Sequence, residues 1–223
     1  FDQPIYTAQC TGLGVLNLLE AVKLICPDAK IYQASSSEMF GNSVDEDGYQ
    51  RETTPLEPVS PYGCAKVFAY NICKNYRNAY GMFISNGILF NKVVKEAVKI
   101  KLGLTNKLKL GNLNASRDWG HAKDYVYAMW LMLQQDEPDD FVCSTGVSHT
   151  VQDLVEYVFN KLDLDWLKYV MTDKKYLRPE ELDFLKGDCK KATSVLGWEH
   201  EYTFETMLDE MIEYWIEELD EKN

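Results

Sequence analysis

Short strand-like runs and amphipathic helical stretches alternate along most of this 223-residue chain, and that alternation narrows the fold more than any other feature. Apolar residues recurring at three- and four-residue spacing bury one face of a helix, whereas a short continuous apolar run buries both faces of a strand. The helical spacing covers Tyr6–Cys26, with Leu13, Leu16 and Leu24 in phase, and stops near Pro27. Lys30–Ser35 (KIYQAS) reads as a buried strand and 41–60 as a polar loop. Pro61–Tyr80 reads as a helix with proline at its first position and Gly81 as its stop. Met82–Phe90 is strand-like, Val93–Leu102 helical, Lys107–Leu110 a strand, His121–Gln135 a helix and Phe141–Ser144 a strand. Thr150 and Asp153 are spaced as a capping box ahead of a helix reaching about Lys161. Further helices are expected over Lys190–Leu196 and Phe204–Leu219. Such alternation builds an α/β fold around a parallel sheet.

A hydrophobic fraction of 46% supplies a sizeable core, and 13 Gly with 7 Pro exclude collagen-like or low-complexity character. No unbroken run approaches the ~18 apolar residues of a membrane span, so no membrane partner is expected. FDQPIYTAQC shows no basic and apolar signal pattern. With 23 basic against 35 acidic residues the chain carries −12, a poor generic binder of nucleic acid, although local cations can still hold a phosphate. The six cysteines form no C-x-x-C and read as buried free thiols, which points to the reducing cytoplasm. The three histidines lack ligand spacing, so no metal site is expected.

A doubly wound nucleotide-binding sheet normally opens on a strand, a G-x-G-x-x-G turn and a helix. Here Gly12-Leu-Gly14 lies inside the first helical stretch, which reads as helix packing rather than phosphate binding.

The chemistry concentrates in Ser35-Ser36-Ser37-Glu38-Met39-Phe40-Gly41 and in Ser60-Pro61-Tyr62-Gly63-Cys64-Ala65-Lys66. A strand ending in hydroxyl residues presents them at the carboxyl edge of a parallel sheet, where ligands bind. Tyr62 and Lys66 stand four apart on a helix and share a face. A nearby ammonium stabilises phenolate, so Lys66 is expected to draw the Tyr62 pKa down and make it a proton acceptor. Y-x-x-x-K alone is weak, because Tyr70/Lys74 and Tyr157/Lys161 repeat it. Those two pairs read as core tyrosine with solvated lysine; only Tyr62 has the Ser-Pro lead-in and an upstream strand ending in Ser and Glu.

Together these residues resemble the extended short-chain dehydrogenase/reductases. QASSSEMFG, RETTPLEPVSPYGCAK, NGILFN, LGNLNASRDWGHAKDY and RPEELDFLKGD resemble, more closely, the GDP-mannose 4,6-dehydratase family, in order along essentially the whole chain. The resemblance implies a doubly wound, Rossmann-type parallel sheet with a smaller, interleaved substrate-binding domain, the N-terminal part of the sheet being absent from this sequence. The dinucleotide-binding part would take 1–91 and about 117–147, and the nucleotide-sugar-binding part about 92–116 and 148–223. It implies GDP-mannose as substrate and tightly held NADP: hydride leaves C4, water leaves across C5 and C6, and hydride returns to C6.

In that scheme Tyr62 takes the C4 hydroxyl proton, Lys66 assists it and holds the nicotinamide ribose, and Ser36, at a position usually Thr in the family, bonds O4. Glu38 is the acid/base at C5 and C6 and is expected to sit partly desolvated. Tyr6 matches a cofactor contact, with plain helix packing as the competing reading. Asn91 matches a diphosphate contact, and Arg178 and Glu181 match nucleotide contacts. Gly111 and Asn112 would let backbone approach the nucleoside. Arg117 suits bidentate phosphate binding, with a surface salt bridge as the alternative for it and for Arg178. A homodimer is expected through the Pro61–Tyr80 helix, with Cys64, Phe68, Ile72 and Tyr76 as its second apolar face, or a homotetramer through the family's loop after Asn91, which this sequence lacks. The family's opening Gly-rich turn also has no counterpart, so the sequence is expected to be a gapped part of a longer chain. Another nucleotide-sugar dehydratase or epimerase, or a non-catalytic partner subunit of the same fold, remain the competing readings. Glu38 argues against a simple epimerase, and its joint presence with Ser36, Tyr62 and Lys66 argues against a non-catalytic subunit.

Overall fold

Ser60 starts the longest uninterrupted α-helix because its side chain accepts the Gly63 N–H at 3.0 Å, while Pro61 supplies a preset φ without an orphaned donor. Gly81, at φ +65°, ends it by returning its N–H to the Arg77 carbonyl at 3.1 Å. The computed structural model describes residues 2–89, 95–177, 180 and 182–220. In chain order its main elements are α1 (Pro4–Ile25), β1 (Ile31–Ser36), α2 (Pro61–Tyr80), β2 (Ile84–Leu89), α3 (Lys95–Lys101), β3 (Leu108–Leu110) and β4 (Ser116–Asp118). There follow α4 (Ala122–Gln134), β5 (Asp140–Cys143), β6 (Ser148–Thr150), α5 (Val151–Lys161), α6 (Trp166–Tyr169), β7 (Val170–Thr172) and α7 (Phe204–Asp220). The helix expected over Lys190–Leu196 is present, with its Ala192–Leu196 part wound as a π-helix.

The main sheet is parallel, in the order β1-β2-β5, with Ser36 beside Leu89 and Leu89 beside Cys143 at the carboxyl edge. β2 is central and buried on both faces. Ile88 and Val142 pack with Tyr70 of α2, whereas Phe141 and Cys143 pack with Tyr125, Ala128 and Met132 of α4. Alternate residues of the strands therefore face the two helices on opposite sides, the layering of a doubly wound fold. A separate core gathers α3, α5 and α7 around Val98, Trp119, Phe159, Leu208 and Ile212. The short β3–β7 and β4–β6 pairs form two further two-stranded sheets, and Leu108, Leu110 and Val170 of the first pack against this second core.

Three readings are sharpened here. First, α1 is 22 residues long with mean hydropathy 1.2, so by length and composition it is apolar enough to cross a membrane, a test that a core helix also passes. Counting unbroken apolar runs does not register this, because scattered Thr, Gln and Asn, with Glu20 and Lys23, interrupt the run without removing the average. One side of α1 lies on α2: a Cβ at Gly12 would stand 3.4 Å from the Phe68 ring, and Leu19 is fully buried. Second, Tyr76 and Ile72 do not form an outer face of α2. They pack within the chain against Leu19, Met82 and Ile84, which leaves Cys64 and Phe68 exposed. Third, the thiols are all free, but only Cys73 and Cys143 are buried; Cys10, Cys26 and Cys64 are exposed.

Candidate active site

β1 ends at Ser36, whose side chain accepts the Glu38 N–H at 3.3 Å and so caps a single 3-10 turn, Ser37–Met39. That turn lifts Glu38 off the sheet edge. The first turn of α2 comes up beside it, and Ser60 Oγ donates to Glu38 Oε2 at 3.0 Å. Gly63 makes the approach possible, because a Cβ there would stand 2.8 Å from the Glu38 carbonyl oxygen and 2.8 Å from Pro58. Tyr62 is 40% exposed, and the Ser36 hydroxyl beside its phenol favours the phenolate. The structure thus joins Ser36, Glu38 and Tyr62 on the wall of one cavity of about 480 Å³.

Lys66 behaves differently from its expected role. Burial pushes the Tyr62 phenol up and the charge of Glu38 adds to this, while only the neighbouring Ser36 hydroxyl pulls it down. The Lys66 ammonium donates to the Ala34 carbonyl at 2.7 Å and lies 5.6 Å from the centre of the Tyr62 ring. Burial in turn lowers the Lys66 pKa. The four-residue spacing brings the pair onto one face, but a main-chain acceptor draws the cation past the phenol.

The opposite wall of the cavity comes from the second core. Gly111, Asn112 and Arg117 line it, together with Asp118, Trp119 and Tyr176. Arg117 Nη1 donates to the Ser116 carbonyl at 2.8 Å, and Asn112 Oδ1 accepts the Asn114 N–H at 2.9 Å. The close backbone approach expected at Gly111 is made by the protein itself: a Cβ there would lie 2.5 Å from the Tyr176 carbonyl oxygen. Tyr6 does not reach the cavity wall; it is 63% exposed on α1, beside Cys10. Asn91, Arg178 and Glu181 lie outside the described residues.

Asp118 was missed by sequence reasoning. It is 1% exposed, and its carboxylate accepts the Thr145 N–H at 2.9 Å, the Thr145 hydroxyl at 2.7 Å, the Gly146 N–H at 2.9 Å and the Gly187 N–H at 3.3 Å. Burial raises its pKa against the pull of those donors. The group fastens two distant loops to β4, next to Arg117. Trp119 stacks on Phe204 at 5.8 Å, and Phe204 also stacks on His149 at 3.8 Å. His121 caps α4, its Nδ1 accepting the Lys123 N–H at 3.1 Å. Among the described residues no three His, Cys, Asp or Glu side chains gather as a metal site.

The other two Tyr/Lys pairs are structural. Tyr70 is buried and donates to Asp140 at 3.0 Å, with the half-exposed Lys74 3.6 Å from the same carboxylate. Tyr157 donates to Asp209 at 2.9 Å, and Lys161 pairs with it at 2.9 Å.

In solved structures the chain is similar to a dTDP-glucose 4,6-dehydratase from Bacillus anthracis in complex with NAD, with TM-score 0.84 and 26% identity over 96% of this chain and 70% of that one. It also matches RMD from Pseudomonas aeruginosa complexed with NADPH, with TM-score 0.85 and 22% identity over 98% of this chain and 77% of that one. Among curated proteins it is 47% identical to GDP-mannose 4,6 dehydratase 2 of Arabidopsis thaliana, over 96% of this chain and 61% of that protein. It is 45% identical to the GDP-mannose 4,6 dehydratase of Homo sapiens, over 95% of this chain and 65% of that protein. The chain therefore spans less than two thirds of the length of either relative. The GDP-mannose 4,6 dehydratase family model matches residues 1–211. With nearly the whole sequence matched and a carboxylate, a tyrosine and a serine brought together at the sheet edge, the chain belongs to the GDP-mannose 4,6 dehydratase family.

Proposed function

We propose that this protein dehydrates GDP-mannose to GDP-4-dehydro-6-deoxy-mannose. The observation that carries this is the placement of Glu38 in the same cavity as Tyr62 and Ser36, since a carboxylate beside the alcohol-oxidising pair is what elimination needs beyond oxidation. Tyr62 takes the proton of the C4 hydroxyl, and Ser36 bonds that oxygen. Glu38 removes the C5 proton, which the C4 ketone has made acidic, and returns a proton to the departing C6 hydroxyl. Arg117 holds the diphosphate, and Gly111 and Asn112 flank the nucleoside, all three on the facing wall. Asn91, Arg178 and Glu181 are assigned to the same nucleotide on family resemblance.

The nicotinamide end of a dinucleotide fits the half-buried Lys66 and the open side of Tyr62. For its diphosphate the described residues offer no glycine turn, because Gly12 is packed on Phe68 and Ala65. Lys66 would hold the nicotinamide ribose, and Tyr6 is assigned to the same cofactor on resemblance. When bound, NADP accepts the hydride from C4 and supplies it to C6. The solved neighbours named with NAD and with NADPH support a nicotinamide dinucleotide, and NADP is the form proposed.

The catalytic and dinucleotide-binding part is assigned to 1–91 and about 117–147, and the nucleotide-sugar part to about 92–116 and 148–223. Free thiols fit a cytoplasmic enzyme. A homodimer, or a tetramer built from it, is supported by apolar residues left exposed on α1 and α2, among them Leu13, Leu18 and Phe68. Phe68→Asp is expected to shift the full-length protein from dimer to monomer in analytical ultracentrifugation; an unchanged sedimentation coefficient would rule out this face.

The deciding experiment incubates the full-length protein with GDP-mannose and NADP⁺ and follows the sugar by NMR. Appearance of the 4-keto-6-deoxy sugar is the expected result. Turnover of a different nucleotide sugar, with GDP-mannose untouched, would overturn the substrate assignment.

A further inference from the structure

We propose that Ser60 is a positioning residue, which sets Glu38 for proton transfer by donating its single proton to that carboxylate from the cap of the helix that carries Tyr62. The proposal rests on the reading of Glu38 as acid/base and adds a residue to it.

A serine hydroxyl has one proton and two lone pairs. At Ser60 a lone pair is engaged by the Gly63 N–H at 3.0 Å, the bond that caps α2. The proton is directed at Glu38 Oε2, also at 3.0 Å. An ionised carboxylate has only acceptors, so the direction of this bond is settled, and bonds to a charged acceptor are the strong ones. The main chain is fixed by the same few residues. Ser36 Oγ receives the Glu38 N–H, and the missing side chain of Gly63 leaves room for the Glu38 carbonyl. Ser60-Pro61-Tyr62-Gly63 is thus one device in which cap, rigid first residue, reactive phenol and close-approach glycine follow one another. The distance between phenol and carboxylate is set by a helix N-terminus rather than by a loop.

The chemical consequence concerns how the carboxylate is held. With the Ser60 hydroxyl fixing its orientation, the proton released when the C5–H bond breaks forms its O–H bond on the Glu38 carboxylate, and the electron pair enters the C4–C5 enolate. When the C6–O bond breaks, that proton joins the leaving hydroxyl and water departs. Ser60 neither gains nor loses a proton through the cycle.

Three variants of the full-length protein separate this role from simple capping. Ser60→Thr keeps cap and donor. Ser60→Gly keeps most of the cap's value to the helix but has no donor, and Ser60→Ala loses both. With GDP-mannose and NADP⁺, Ser60→Gly and Ser60→Ala are expected to lose about 10- to 100-fold in kcat for 4-keto-6-deoxy product, the range of a hydrogen bond to a charged group, with KM little changed. Ser60→Thr should turn over close to the wild type, and Ser60→Gly should melt close to it. If Ser60→Gly turned over like Ser60→Thr, Ser60 would be a cap and nothing more. Glu38→Gln run alongside separates the two levels. Normal elimination by that variant overturns the acid/base reading and the inference with it. Its loss together with normal turnover by Ser60→Gly overturns the inference alone. A wild type that dehydrates no nucleotide sugar overturns both.

Discussion

Glu38→Gln is expected to cut formation of dehydrated product by about 10²- to 10⁴-fold, the usual weight of a general base, while oxidation of the sugar at C4 remains measurable. The amide has nearly the shape of the carboxylate and can still accept the Ser60 hydroxyl through its carbonyl oxygen. It has no basic site for the C5 proton, however, and no acidic proton for the C6 hydroxyl. Tyr62 and Ser36, on the same wall of the cavity, are untouched by the change. The steps should therefore come apart. Single-turnover NMR would show a 4-keto hexose that retains its C6 hydroxyl, and no exchange of the C5 hydrogen with deuterated solvent. Wild-type rates of water loss would mean that a group other than Glu38, with Tyr62 first in line, moves the C5 proton. The change also removes a negative charge that raises the Tyr62 pKa. Oxidation at C4 should for that reason not slow through electrostatics, and a large loss there would count against the assignment.

Local signals made much of the fold legible. Ser60, Pro61 and Gly81 act within one turn of the backbone, so the bounds of Pro61–Tyr80 could be read directly from sequence. The capping box of Thr150 and Asp153 is of the same kind, both of its hydrogen bonds joining neighbours three residues apart. Ser36, Glu38 and Tyr62 were legible as a group because one strand end and the helix after it carry them. The three-residue strands β4, β6 and β7 were not, since nothing in so short a run has a period and their pairing partners alone define them. Asp118 was hidden for a related reason: its partners stand 27 and 69 residues away, and Asp beside Arg suggests an exposed pair rather than a buried clasp. Gly111 was visible as a close-approach position, but sequence does not say what approaches, and here it is the Tyr176 carbonyl. Lys66 gives the same lesson, because spacing fixes a shared face without revealing the Ala34 carbonyl as a competing acceptor.

Asp140→Ala is expected to cost about 3–5 kcal/mol, the range for removing one partner of a buried ion pair. Asp140 opens β5 and is 4% exposed. Its carboxylate receives Arg77 Nη2 at 2.5 Å, Asn86 Nδ2 at 2.8 Å and the Tyr70 hydroxyl at 3.0 Å, so it ties α2 to β2 and β5. Alanine would leave a guanidinium whose side chain is only 13% exposed with no charge opposite it, held by the Ile84 carbonyl at 2.8 Å. Against a total stability of about 5–15 kcal/mol, that is a fifth or more of what holds an ordinary domain together. The same network fixes a pH dependence. Burial alone would raise the Asp140 pKa, but the bonds from Arg77, Asn86 and Tyr70 outweigh it and hold the group below the ordinary carboxylate range. A pKa lower in the folded than in the unfolded state stabilises the fold above the unfolded value, near ~4, and that contribution is lost as pH falls through the folded value. Asp140→Asn should flatten this part of the acid limb. Replacing both charges, Asp140→Leu with Arg77→Met, should recover only the part of the loss due to the unpaired guanidinium, because the buried Tyr70 and Asn86 donors still lack their acceptor. Urea denaturation midpoints of the full-length variants, taken at neutral and acid pH, test the whole set. A shift below about 1 kcal/mol for Asp140→Ala would place the network among the weak surface pairs.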